Sequence, residues 1–432
     1  MMADRSRVSE FCVKVLLEAG IEKAESSLLL TRRHELNVDS GSISLMRTTD
    51  DVNLSLTGIR DQKRGSTSIN KTDDGFIRDS VLELIELVDA GESDPINEIA
   101  EAQTAESFSR GPEEPDVDLM YTRMKAFLGY CGTKYPNLIL EQAILDHTAK
   151  QRYYSNSNGV SFQSVRGEYN FVVVFISRDG TSTSSFNYVG VSMEDLSKEL
   201  HTYDGMDRLM GQSTDQTVTT NLEGSFTGDV ITTPECMEDF ISTITRYLGD
   251  YPLITGTSIF KDSLGKVIAD ERLSLHSRPV SEELAGGYFF TGDGFKAENS
   301  TIIDRGVLSS FLLGLYGSRK TGKEKAVNSG SFYVIDPGNT DFDKMVESVE
   351  KGILLCRFSG GNPSSNGDFS GVAKNSYYIE NGEIKYPVSE TMVAGNLKQM
   401  LKTIKHISKE RVNNGGSIIP WITFSGITIS GK

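Results

Sequence analysis

Apolar and polar positions alternate with two different periods along this chain, and the changes of period divide it. Val8, Phe11, Cys12, Val15, Leu16 and Ala19 recur at helical spacing, and Gly20 closes that helix. From Ala24 to Ser68 the period shortens to that of strands: SSLLLTRRHELNV, SISLMR, NLSLTGIR and GSTSIN read as consecutive antiparallel strands. Asp73-Asp74 can cap a second helix with Ile77, Val81, Leu84, Ile85 and Val88 on its face. An acidic stretch from Gly91 to Asp118, rich in Glu and Pro, predicts an extended, exposed connector. A helix through Leu119, Met120, Met124 and Phe127 follows. Strands return in QRYYSNSNGVSFQSV, with Asn158-Gly159 as a hairpin turn, and in YNFVVVFISRDG, ended by Asp179-Gly180. Met193 to Leu209 reads as helical.

The strand TGDVITT leads into a helix begun by Pro234 that continues through Phe240, Ile241, Ile244 and Leu248. Beyond Leu253 the texture is mostly strand with Gly-rich links, broken by helices around Phe342–Val349 and Leu397–Ile404. The expected fold is α+β: an N-terminal helix–antiparallel sheet–helix domain, then a mostly β C-terminal domain. The expected boundaries are 1–118 with the connector, a mixed segment 119–227 packed on it, and 228–432.

The most informative stretch is Ile353 to Asn396. An apolar run to Phe358 gives way to the polar loop SGGNPSSNGDFSG, and a hairpin follows, with Tyr377 and Ile379 going out, Asn381-Gly382 turning, and Ile384, Tyr386 and Val388 returning. A Gly-rich loop held between strands suits a ligand or partner, although a surface loop without function has the same composition. Its candidate peptide- or partner-contact residues are Gly360, Gly361, Asn362, Asp368, Ser370 and Gly371.

The net charge of −16 and pI near 4.9 argue against nucleic-acid binding, which needs a basic face. The one basic cluster, Arg319 to Lys325, reads as a solvated loop. No run approaches the roughly 20 apolar residues of a membrane span, and MMADRSRVSEF lacks the apolar core of a leader peptide. Cys12, Cys131, Cys236 and Cys356 form no CxxC pair and read as buried thiols in a reducing cytoplasm.

Catalytic motifs fail on inspection. His34-Glu35 opens an HExxH, but Val38 stands at the second histidine, and the pair lies in strand texture. The histidines His34, His147, His201, His276 and His406 are isolated in sequence, so no metal ligand set is expected. Gly317 to Lys323 fits GxxxxGK, then places Glu324 where a hydroxyl is needed. Ser68-Ile-Asn-Lys71 follows the order of a serine–lysine hydrolase, but the helix cap after Lys71 separates the two residues. No catalytic residue is assigned.

SGGNPSSNGDFSG, YYIENGEIKYPV and VAGN together resemble the C-terminal signature of the TldD/PmbA family, the "modulator of DNA gyrase" or peptide-maturation metallopeptidases. GDVITTPECMEDFI, FKDSLGKVIADERLSL and FFTGDGFKAENSTIIDRGVLSSFLLGLYGSRKTG extend the resemblance, and YYSNSNGV carries it into the first half. The resemblance implies an α+β domain followed by a mostly β domain, and a working dimer. One arm of the family carries a zinc-binding HExxxH and is the peptidase; the PmbA (TldE) arm lacks it and serves as partner subunit. No HExxxH occurs here, His276 stands alone, and the family's "fD.EG" appears as Thr291-Gly292-Asp293-Gly294 with one acid missing. The chain therefore resembles the PmbA arm. That implies a non-zinc cytoplasmic subunit acting on unfolded peptides, with zinc on a TldD-like partner and no cofactor of its own. The alternatives are a stand-alone peptidase with an unrecognised site and a peptide-binding homodimer.

Overall fold

The computed structural model describes residues 6–431; residues 1–5, where the leader-peptide reading begins, and 432 lie outside it. Two sheets, one from each half of the chain, organise the described residues. The first joins β1 (Lys23–Asp39), β2 (Ser42–Arg60), β3 (Lys63–Ile69), β4 (Glu106–Arg110), β5 (Leu138–Asn156), β6 (Ser161–Asp179), a two-residue β7 (Ser182–Thr183) and β8 (Asn187–Met193). Its order is β3-β2-β1-β5-β6, with β4 and β8 both paired to β6. Leu54, Leu28, Leu36, Leu145 and Phe171 occupy one face, as their cross-strand register requires. Helices α1 (Ser6–Glu18) and α2 (Asp74–Ala90) cover one end of that face, and α3 (Val117–Lys134) and α4 (Met206–Asp215) cover the other.

Several expected elements are present with a physical cause. The Asp73 carboxylate accepts from the Phe76 N–H at 3.0 Å and starts α2, so Ser68 on β3 and Lys71 share no helical turn. Asn381 and Gly382 take φ of 52° and 76° and close a two-residue turn. Asn158-Gly159 sits in a longer loop, in which the Asn156 side chain accepts from the N–H of Asn158 and of Val160, each at 3.0 Å.

Other expectations are corrected. SISLMR and NLSLTGIR form the single strand β2, because β1 offers a backbone ladder along its whole length and Arg32 pairs across it with Asp50 at 2.8 Å. The stretch Met193–Leu209 is not one helix. Asp195 accepts from the Ser197 N–H at 2.8 Å, the chain then makes only a 3-10 turn at Leu200–Thr202, and α4 begins after Gly205. Nor is the acidic connector a free link. β4 pairs in parallel with β6, Ile99 and Ala100 are buried, and Asp94 and Glu98 pair with Lys320 (2.9 Å) and Arg319 (3.8 Å). The basic cluster is thus a docking partner for the connector rather than a solvated loop.

The second half is built around the long strand Ile418–Ser430, which pairs with Ser225–Thr232, Thr391–Asn396 and Ile404–Asn413 antiparallel and with Tyr333–Ile335 parallel. Helix α5 (Pro234–Arg246) packs Met237, Phe240, Ile241 and Ile244 into its core. Among the described residues no helix is long and apolar enough to cross a membrane.

Candidate functional site

Helix α5 begins where the Thr233 hydroxyl accepts from the Cys236 N–H and Pro234 supplies the first helical position. Its apolar side is spent in the core. Glu235, Glu238 and Asp239, spaced i, i+3 and i+4, therefore share the other side. They line a cleft of about 370 Å³ between the two halves of the molecule. The first half contributes Val172 on β6, Tyr188, Val189 and Gly190 on β8, and Asp204 and Leu209. The second half adds Cys356, Arg357, Val412, Asn414, Ser417 and Ile419.

The charges in the cleft are unequally matched. Glu235 pairs with Arg208 at 2.6 Å. Glu238 accepts from the Asn414 amide at 3.1 Å, a neutral donor. Burial pushes the Glu238 carboxyl above the usual glutamate range, against the hydrogen bonds of Ser417 and Asn414. Burial raises Asp239 too, with Arg357 opposing. Arg357 is itself engaged, donating to the Phe186 carbonyl at 2.8 Å and lying 4.2 Å over the Phe186 ring. Burial pushes the Cys356 thiol up to about 12, which removes it as a nucleophile at neutral pH.

β8 forms one wall and is an edge strand. Its Ser192 N–H turns away from β6 and donates to the Asn414 carbonyl at 2.8 Å. By antiparallel alternation the backbone groups of Gly190 and Tyr188 also point outward, and among the described residues no strand pairs there. The Tyr188 N–H is occupied by the Asn187 side chain at 3.0 Å.

The Gly-rich stretch is a β-hairpin, Arg357–Gly360 with Asp368–Lys374, rather than a long loop; residues 361–367 alone form its tip. Gly360, Gly361 and Asn362 line a groove of about 230 Å³ beside α5 that shares Asp239 with the cleft. Arg246 of α5 donates to the Asn362 side chain at 2.7 Å. The other three residues do not reach this groove. Asp368 is exposed and tied to Asn396 (2.8 Å) and Asn366 (2.7 Å), which hold its carboxyl below the usual range. Ser370 is exposed opposite Ala394, and Gly371 is buried beneath Phe358.

Sequence reasoning missed Glu235, Glu238 and Asp239, although their spacing on a helix with an apolar opposite side was available. Tyr188 and Asn414 carry no sequence signal.

A metal ion does not fit the residues present. Among the described residues no three or more histidine, cysteine, aspartate or glutamate side chains converge to hold one. His34 and His147 face each other across β1 and β5 with ring centroids 6.5 Å apart, and Glu35 is taken by Arg33 and Arg47. His276 lies elsewhere, against Asp336 and Thr301.

Residues 225–431 match the family described as "PmbA/TldA metallopeptidase C-terminal domain". The "Metalloprotease PmbA" of Escherichia coli O157:H7 is 29% identical over 187 residues, which span 40% of this chain and 41% of that protein. The "Metalloprotease PmbA homolog" of Haemophilus influenzae is 23% identical over 96% of this chain and 95% of its own length. The crystal structure of TldE from Thermococcus kodakarensis superposes with a TM-score of 0.84 at 17% identity, covering 99% of this chain and all of that one, a likeness of fold. Residues 225–431 therefore form a PmbA/TldA metallopeptidase C-terminal domain, and the whole chain has the fold of the TldE structure.

Proposed function

We propose that this chain is the non-zinc, PmbA/TldE-like subunit of a cytoplasmic peptidase, holding an unfolded peptide while a TldD-like partner carries the zinc and the hydrolytic chemistry. The observation that carries this reading is the outer edge of β8 lining the α5 cleft, where among the described residues no strand pairs at Gly190. An extended peptide can add to such an edge through its backbone, which requires no particular sequence. The groove beside Gly360, Gly361 and Asn362 continues the path past Asp239. That the sequence carries no HExxxH supports a reading with the zinc on the partner. Four buried free thiols suit a reducing compartment, and the acidic net charge suits neither nucleic acid nor an anionic membrane surface.

The test is elemental analysis and cleavage of an unfolded peptide, with this chain alone and after co-expression with an HExxxH-bearing relative. The expected result is no zinc and no cleavage alone, and chelator-sensitive cleavage by the pair. Stoichiometric zinc with cleavage by this chain alone would overturn the reading.

A further inference from the structure

The walls of the α5 cleft differ in kind. Val172, Val412 and Ile419 give the cleft apolar lining, and Glu238, Asp239 and Asp204 give it acidic lining. Among the described residues neither Glu238 nor Asp239 has a lysine or arginine within ion-pair distance, whereas Glu235 beside them is matched by Arg208. Arg357, the cation closest in effect to Asp239, is committed to Phe186. Asp204, Glu235, Glu238 and Asp239 thus outnumber Arg357 and the Arg208 that pairs with Glu235, and the cleft carries a net negative charge. A metal ion would need a third converging donor, which is lacking among the described residues.

The occupant must also suit an open passage. Asp239 lines both the cleft and the groove at Gly360–Asn362, so a chain lying along β8 runs through the site rather than ending in it. Positive charge then comes from a side chain and not from a peptide terminus. An aliphatic stem with a cationic head matches a lining of apolar and acidic side chains.

We propose that the cleft selects peptides by a basic residue, a lysine or arginine whose stem lies against the apolar lining of Val172, Val412 and Ile419 and whose head is held by Glu238 and Asp239. This rests on the peptide-holding reading above and adds the substrate class. The net charge of −16 acts in the same direction, speeding encounter with basic peptides at low salt.

The test is fluorescence anisotropy of the full chain with unfolded peptides, N-acetylated and C-amidated, identical except for one central lysine, norleucine or glutamate. The expected order is lysine over norleucine by about tenfold, with glutamate weakest, and the lysine preference shrinking as salt is raised. In a Glu238→Gln, Asp239→Asn double variant, shown to be folded by its circular dichroism, the lysine-to-norleucine ratio falls toward one. Equal affinity of the native chain for the lysine and norleucine peptides overturns the selection and leaves peptide holding intact. A ratio undiminished in the double variant overturns the assigned residues. A norleucine peptide with a free amino terminus that matches the lysine peptide overturns the side-chain assignment. Binding of no peptide at all, with or without the zinc-bearing partner, overturns peptide holding and the selection with it.

Discussion

Glu238 is partly buried with a neutral amide as its hydrogen-bond donor, and its position has a measurable signature. Burial raises its folded-state pKa, so the native protein holds that proton more tightly than the unfolded chain does. The associated stability is complete below the ordinary glutamate range and is lost as pH rises through the raised folded value. Asp239 shifts in the same direction and sharpens the effect. Glu238→Gln keeps the acceptor for Asn414 and removes the ionisation. The variant is therefore expected to melt at a higher temperature than the native chain at pH 8, with the difference closing as pH falls below the ordinary glutamate range. Thermal melts at several pH values check this, and a gain that persists unchanged in acid would show that ionisation is not its cause. Such a cost in stability is what a binding residue carries. The glycines at the hairpin show the converse. Their sequence context marked them as one group, yet a Cβ on Gly371 would lie 2.5 Å from the Phe358 ring, whereas one on Gly361 meets nothing within 4 Å. Packing separates them, and packing between distant side chains is not written in a local pattern.

Elements set by local chemistry were legible from the sequence, and those set by distant pairing were not. The Asp73 cap, Pro234 and the Asn381-Gly382 turn each act within four residues, so their elements could be placed in advance. The connector could not. β4 exists because Glu106–Arg110 meets Phe162–Arg166 more than fifty residues away, and its acids are matched by lysines and an arginine from the second half. Its seat depends on close backbone approach. A Cβ on Gly167 would fall 1.5 Å from the Pro112 carbonyl oxygen, the same atom that the His147 ring contacts at 2.8 Å. Gly167→Ala therefore lifts the connector from the sheet at an expected cost of about 1–3 kcal/mol. Arg110 is the single trypsin site between Gly91 and Asp118, and in the native fold it is engaged by Glu194 and the Ser281 and Glu282 carbonyls. Limited trypsin digestion of the variant should release fragments cut after Arg110 under conditions that leave the native chain whole. An unchanged digest and melting temperature would mean that the connector has another anchor.

The cleft exists only because two separately built sheets are held at a fixed distance, and arginines from the first half set that distance. Arg110, Arg152 and Arg166 each donate to backbone carbonyls between Ser281 and Thr291 of the second half. The α+β character of each half followed from periodicity, but this joint did not, because its acceptors are main-chain atoms with no sequence identity. The run Thr291-Gly292-Asp293-Gly294, which departs from the family pattern by one acid, lies at the same joint. Gly294 has φ of 83° and presses on Tyr154, and Asp293 accepts from the Leu315 N–H at 2.8 Å. A structural role at the joint accounts for both residues without catalysis. Arg152 is the most exposing test of the joint. It is partly buried, reaches the carbonyls of Phe290 and Thr291 at 3.1 and 3.3 Å, and lies 4.5 Å over the Phe290 ring. Arg152→Leu leaves two buried acceptors without donors, each costing about 1–3 kcal/mol, and those costs fall on the contact between halves rather than inside either one. The single tryptophan, Trp421, belongs to the second sheet and packs on Phe342, with Arg208 of the first half 5.3 Å over its ring, so its main fluorescence transition follows the second half while far-UV circular dichroism follows both. In urea the native chain should show coincident transitions by the two probes. In Arg152→Leu the dichroism should begin to fall at lower urea than the Trp421 signal, because the first half then unfolds without its partner. Coincident transitions in the variant would place the coupling in the apolar contacts around Phe290, and the arginines would be spacers without energetic weight.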